Sequence, residues 1–199
     1  MRALFLVALL TVTAFSARGD INSSGHSTAV PNCSDGWRIT GYYTPIETEF
    51  STGEMRQIDI DGIPSDSFNS EFLRTIFDER KGYGEGWGKT RFGWYLGYYG
   101  RGWHRSSAPL DAEDRPLKPN TIAVDNSFIP RGSLVTIPGL PGDLATMSFE
   151  SDDIGVSVHG KHIDIYTGEG EAAGRRMYQI TFEDNDDLQT VCFEAPASN

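Results

Sequence analysis

Between Thr121 and Phe193 the chain offers six short apolar runs separated by turn signals, and this spacing limits its fold more than any other feature. The runs are Thr121–Val124, Ser133–Ile137, Ala145–Glu150, His162–Tyr166, Met177–Phe182 and Leu188–Phe193. Pro130-Arg131-Gly132, Pro138-Gly139 and the acidic stretch Glu183–Asp187 fall between them. Strands this short and this regular build a small barrel or sandwich. Upstream, Trp37–Thr44 is rich in β-branched and aromatic residues, stops at Pro45 and reads as a strand. Arg56–Ile60 alternates and ends at Asp61-Gly62, a turn signal. Phe68, Phe72, Leu73, Ile76 and Phe77 share one helical face, with Asp66 or Ser67 to cap it and Gly82 past its end. A weaker helix is expected over Glu171–Met177, against the cost of Gly174. Gly82–Arg105 mixes aromatics with glycines in no dominant period and is expected to be a long loop or irregular hairpin.

The 199 residues suffice for one domain with a sizeable core. Met1-Arg2 followed by an apolar run to Phe15 and then small residues has the layout of a secretory signal peptide over 1–19, too short to span a membrane. Residues 20–35 are polar and read as a flexible leader, with structure starting near Trp37 and the domain occupying 36–195. Cys33 and Cys192 are the two cysteines. In an exported chain an even count points to a disulfide, with two free thiols as the alternative. Such a bridge would close nearly the whole domain and contribute roughly 4–5 kcal/mol in the chain-entropy picture. The net charge of −11 argues against nucleic-acid binding and against anionic membrane surfaces, leaving neutral or amphoteric ligands such as sugars.

Three aspartates stand out by their setting. Asp125 closes the apolar run Ile122-Ala123-Val124, and by itself it serves equally as a turn cap. Asp153 follows Met147–Phe149 and precedes Gly155, as an ordinary turn acid does. Asp164 lies between Ile163 and Ile165, so strand alternation points it away from both isoleucines. A carboxylate in such a strand is costly unless paired or functional, or unless the strand lies at an edge. His26, His104, His159 and His162 have no zinc spacing, the Glu183–Asp187 stretch lacks the features of a Ca²⁺ loop, and no serine sits in a nucleophile elbow. No metal and no cofactor is expected.

Four stretches carry a resemblance to a known family. They are Gly41-Tyr42-Tyr43-Thr44-Pro45, Ile122–Ser133 with Asp125-Asn126-Ser127, Asp153–Gly160, and His162–Gly170 with Ile163-Asp164-Ile165. In this order they resemble the three-aspartate domain of the lytic transglycosylase A family. Ile154 and Val156 depart from it, standing where the family usually carries a threonine and a second glycine. The resemblance implies a mainly-β fold: a double-psi β-barrel with one or two short helices and a Gly/aromatic-rich loop. It implies cleavage of peptidoglycan glycan strands; the N-terminal segment in turn implies export, periplasmic or secreted, with no membrane insertion after signal cleavage, and a monomer is expected. Asp164 is then the catalytic acid/base, with Asp125 and Asp153 nearby raising its pKa by like-charge repulsion. Tyr43, Thr44 and Gly155 would bind glycan. Trp94 and Trp103 either stack on sugar faces or, with Trp87, cover the barrel as a satellite core. Glu47 and Glu49 either join the groove or are solvated loop acids. A non-catalytic, expansin-like wall-binding module is the alternative, and a hydrolase with a second acid across the groove is a third.

Overall fold

The computed structural model describes residues 31–181 and 188–196. The expected signal peptide, most of the leader, His26 and the acidic stretch 183–187 lie outside the described residues. Six strands close a barrel in the order β1-β10-β7-β9-β8-β11. They are β1 (Asn32–Thr44), β7 (Thr121–Val124), β8 (Leu134–Thr136), β9 (Phe149–Asp153), β10 (His162–Glu169) and β11 (Gln189–Glu194). The pairs β1·β10 and β7·β9 are parallel, and the other pairings that place the site are antiparallel. Alternation drives the assembly. Ile163 and Ile165 of β10 are 0% exposed and join Trp37, Ile122, Phe149 and Val191 in one core.

A second sheet, ordered β3-β2-β6-β5-β4, lies between β1 and β7 in sequence. Its strands are β2 (Met55–Ile60), β3 (Ile63–Asn69), β4 (Trp87–Lys89), β5 (Tyr95–Tyr99) and β6 (Gly102–Ser106). Asp61 and Gly62 both take positive φ (53° and 77°) and close the β2–β3 hairpin, as the turn signal predicts. Helix α1 (Ser70–Ile76) covers this sheet, and Phe68, Phe72, Leu73, Ile76 and Leu96 form a second core.

Several expectations change here. The aromatic stretch is no loop: it supplies β4, β5 and β6. Its glycines seat aromatic rings rather than confer mobility. A Cβ on Gly88 would stand 2.5 Å from the Phe72 ring, and one on Gly97 2.6 Å from Trp87. Those approaches are non-local, so no sequence period reveals them. Phe68 belongs to β3, and α1 is capped by Asn69, whose Oδ1 accepts from the Glu71 (2.9 Å) and Phe72 (3.3 Å) amides, not by Asp66 or Ser67. The run Met177–Phe182 is no strand in its described part. Helix α2 (Gly170–Ile180) extends through it because Ile180 buries against the barrel, beside Gly41. The strand expected over Ala145–Glu150 shifts to Phe149–Asp153, behind a 3₁₀ turn at Gly142–Thr146. Glu47 is neither solvated nor in a groove. At 4% exposure it takes the Arg91 guanidinium (2.6 Å) and the amides of Arg91 and Asn69, tying the exit of β1 to the second sheet.

β1 begins at Asn32, five residues before the expected start, because Cys33 and Cys192 face each other across β1 and β11 and form a disulfide. With 159 residues between its ends, this link restrains the unfolded chain strongly. Cys33→Ser is expected to lower the unfolding free energy by about 2–5 kcal/mol. A denaturant titration checks it: the midpoint should fall, and an unchanged midpoint would show that the barrel seam does not depend on the bridge.

Candidate active site

Strand register builds the site. Thr40 of β1 pairs with Asp164 of β10, Asp164 with Ala123 of β7, and Ala123 with Asp153 of β9. Residues in one cross-strand row share a face, so Thr40, Asp164, Ala123 and Asp153 point the same way. With strands ~4.8 Å apart, the two aspartate backbones lie about 10 Å apart, with only an alanine methyl between them.

The Thr40 hydroxyl donates to Asp164 Oδ1 (2.8 Å). Having given its proton there, it accepts from His162 Nε2 (2.8 Å). Burial is the largest cause lowering the pKa of His162, whose Nδ1 lies 3.2 Å from the Ser157 carbonyl. The Tyr42 hydroxyl donates to Asp153 Oδ2 (2.6 Å). Burial pushes Asp164 up to about 6; the Thr40 bond opposes this, the Asp153 charge adds to it and Arg38 opposes it. Asp153 is also raised, first by burial, against the Tyr42 bond. Tyr42 is raised well above its ordinary value, by burial first and then by the Asp153 charge.

Asp125 stands differently. Its Oδ1 accepts the Ser127 hydroxyl (2.6 Å) and amide (2.9 Å), and its Oδ2 accepts the Gly160 amide (2.8 Å). These bonds hold it down at about 2, with the Ser127 hydroxyl the largest cause. Asp125 therefore stays ionised and staples the end of β7 to the turn before β10. The expected mutual repulsion of three aspartates reduces to one neighbour, Asp153, acting behind burial.

The structure also sorts the other candidates. Thr44 is 1% exposed, its hydroxyl 2.9 Å from that of the equally buried Tyr166, so neither presents a surface to a glycan. The Tyr43 ring packs on α2, where a Cβ on Gly174 would stand 3.3 Å away. Tyr42 takes the place beside the aspartates. Period two from Thr40 identifies Tyr42 as the residue on that face. Gly155 makes the tight turn after β9, where a Cβ would meet Val158 at 2.7 Å. Its neighbours Ile154 and Val156 are exposed at 53% and 77%. Trp94 packs edge-on to Phe68 (5.7 Å) under Arg105 (4.6 Å), and Trp103 packs on Tyr98 (4.9 Å). Both indoles belong to the second core, which is the satellite-core reading. Trp87 is buried and donates its Nε1 hydrogen to the Leu110 carbonyl (3.0 Å).

One ionisable residue was not singled out from the sequence. Glu85 sits just before β4, and its Oε2 accepts the Tyr43 amide (2.9 Å). Its own amide donates to the Thr75 carbonyl (3.0 Å) and that of Gly86 to Ile76 (3.0 Å), fixing the loop to the end of α1. Gly84 permits this approach: a Cβ there would stand 2.4 Å from the Ile76 carbonyl oxygen. Burial pushes Glu85 up to about 8, and the Asp164 charge adds to it. In sequence, an acid between two glycines looks like any turn acid. Nearby, Glu169 at the end of β10 accepts from Tyr95 (2.7 Å) and pairs with Lys89 (3.1 Å), joining barrel and second sheet beside the site.

Residues 120–180, from the lead-in to β7 to the end of α2, match the 3D domain family. All three aspartates lie in that span. The chain's fold is that of MltA. Escherichia coli MltA with bound chitohexaose superposes at a TM-score of 0.58 and 17% identity, over 80% of this chain and 72% of that one. MltA from Neisseria gonorrhoeae, in its monoclinic form, does so at 0.50 and 13%, over 82% and 73%. Another E. coli MltA structure, described as revealing a unique lytic transglycosylase fold, aligns at 0.49 and 18%, over 80% and 72%. No curated protein matches this chain in sequence. The mainly-β class and the closed barrel implied by the sequence motifs are present.

The raised acids fix a pH dependence. From 3.8 to about 6 the folded protein holds a proton on Asp164 that the unfolded chain has lost, so stability falls as pH rises through that window. Asp164→Asn keeps the Thr40 bond and removes this cost. The variant is expected to match the parent near pH 3 and to be more stable at pH 7, by up to about 3 kcal/mol. Thermal melts at the two pH values check it; equal midpoints at pH 7 would show that Asp164 titrates as a solvated acid.

Proposed function

We propose that this protein is an exported lytic transglycosylase that cleaves the bond between N-acetylmuramic acid and N-acetylglucosamine in peptidoglycan and leaves a 1,6-anhydro end. The observation that carries this reading is Asp164. It is a carboxyl on a central barrel strand, raised to about 6 by burial and fixed in orientation by Thr40. Such a group exists in both protonation states near neutral pH, as proton transfer at a glycosidic bond requires. Scission needs a proton on the departing oxygen. Ring closure needs the C6 hydroxyl to lose one as it attacks C1. No water is consumed, so the paired-carboxylate geometry of a hydrolase is not demanded.

The other residues fit supporting roles. Asp153, bonded to Tyr42, adds negative charge that would stabilise the positive charge developing at C1. Asp125 holds the turn that leads into β10. The Cys33–Cys192 bridge fits an oxidising compartment, as in the periplasm or outside the cell. Among the described residues no helix is long and apolar enough to cross a membrane. That E. coli MltA holds chitohexaose on this fold supports a glycan ligand.

Digestion of isolated sacculi tests the reading. The protein is expected to release fragments whose masses show anhydro ends, and Asp164→Asn to reduce that release by about 10²–10⁴-fold. Reducing ends in their place would establish hydrolysis, and binding without release would establish a wall-binding module.

A further inference from the structure

Four groups form one hydrogen-bonded line: the Asp164 carboxyl, the Thr40 hydroxyl, the His162 ring and the Ser157 carbonyl. Thr40 Oγ1 stands 2.8 Å from Asp164 Oδ1 and 2.8 Å from His162 Nε2, and His162 Nδ1 stands 3.2 Å from the Ser157 oxygen. Parallel register between β1 and β10 fixes the line, since Arg38 pairs with His162 and Thr40 with Asp164. His162 is buried, so these partners, not solvent, answer its ring nitrogens.

The line has fewer hydrogens than places for them. A backbone carbonyl only accepts, so a neutral ring keeps its hydrogen on Nδ1 and leaves Nε2 as an acceptor. Thr40 has one hydrogen and then faces two acceptors, Nε2 and an ionised Asp164. With Asp164 protonated the conflict ends: the carboxyl donates to Thr40, and Thr40 to Nε2. With the ring protonated it also ends: Nε2 donates to Thr40, and Thr40 to the carboxylate. An ionised Asp164 beside a neutral ring is the state left short of a hydrogen bond.

We propose that His162 is a positioning residue for Asp164, and that its neutral ring, by claiming the Thr40 hydrogen, keeps the ionised carboxyl short of a donor and so a strong proton acceptor. This rests on the lytic reading, in which one carboxyl gives a proton and then takes one. The departing oxygen takes the Asp164 proton as the C1–O bond breaks with its electron pair on that oxygen. The C6 oxygen bonds to C1 and its proton passes to Asp164, which restores the line. His162 and Thr40 gain and lose no proton over the cycle, and neither water nor oxidant is consumed.

The surroundings keep the ring neutral. Burial first, then Arg38 on the paired strand and, less strongly, His159 in the turn before β10 oppose a charge on it, while the Ser157 carbonyl favours one. Around Asp164 stand Thr40, Tyr42 and Arg38 of β1 and Asp153 of β9, and its β7 neighbour Ala123 carries no charge.

Nitrogen NMR of ring-labelled protein tests this without substrate, so its result stands whether or not sacculi yield anhydro ends. At pH 8 His162 is expected to carry its hydrogen on Nδ1 with Nε2 bare; an Nε2–H ring, or a protonated one, overturns the proposal. This measurement uses the parent, so it decides even where a variant fails to fold. Carbon NMR of the carboxyl reads the effect on Asp164. His162→Phe keeps a ring without nitrogens and frees the Thr40 hydrogen for the carboxylate, so the Asp164 titration point should fall by about one pH unit. In a Thr40→Val background the same substitution should leave that point unmoved. An unchanged or raised point in the first case, or the same fall in the second, overturns it. With sacculi, the alkaline limb of the rate profile should move down with Asp164, lowering turnover at pH 7 by up to about tenfold. An unchanged profile from an active parent overturns it as well.

Discussion

The site depends on one constraint, the register in which β10 sits between β1 and β7. Parallel pairing to β1 sets Thr40 beside Asp164, and antiparallel pairing to β7 sets Ala123 on its other side. A slip of one residue would turn Asp164 into the core and Ile163 or Ile165 out of it. The core excludes that slip, because both isoleucines are fully enclosed and a buried, unpaired carboxylate is expensive. The hydrophobic packing of the barrel thus aims the acid, and the energy that fixes the fold also fixes the chemistry.

The second sheet supplies what the barrel lacks. Glu47 with Arg91, and Glu169 with Lys89 and Tyr95, hold the second sheet against the exit of β1 and the end of β10. This closeness brings Glu85 to the Tyr43 amide. Within the buried pair, Glu47 has its charge met by one guanidinium and two amides, so it anchors the junction without becoming reactive. Glu85 receives one amide and no cation, and it remains available. The contrast between these two glutamates rests on their partners, since both are enclosed by the same junction.

The aspartates show how a motif and a geometry differ in content. Asp125, Asp153 and Asp164 stand in one family pattern, yet their surroundings separate them. Asp125 is satisfied by three donors and holds a turn, Asp153 accepts from the Tyr42 hydroxyl and the Ile154 amide but is raised by burial, and Asp164 is raised by enclosure. Counting carboxylates predicts repulsion among three. Burial, the first cause at Asp153 and Asp164 but not at Asp125, leaves two that interact.

From the sequence alone came the mainly-β class, four of the barrel strands nearly in place, the Asp61-Gly62 hairpin, the α1 face and the orientation of Asp164 away from its isoleucines. These are local: period two, turn chemistry and capping act over a few residues. The cysteine count allowed the Cys33–Cys192 bridge without settling it. Only the tertiary structure decided that Gly82–Arg105 supplies three of the second sheet's five strands, that Met177–Ile180 is helix, that Tyr42 rather than Tyr43 faces the acids, and that Glu85 meets the Tyr43 amide. Each of those depends on contacts between residues far apart in the chain: Phe72 over Gly88, Ile180 against Gly41, Tyr43 over Gly174, Tyr43 on Glu85. A glycine or a glutamate carries no local mark of the ring or carboxyl it will meet, because close packing between distant segments, and the desolvation that follows from it, exists only once the chain has folded.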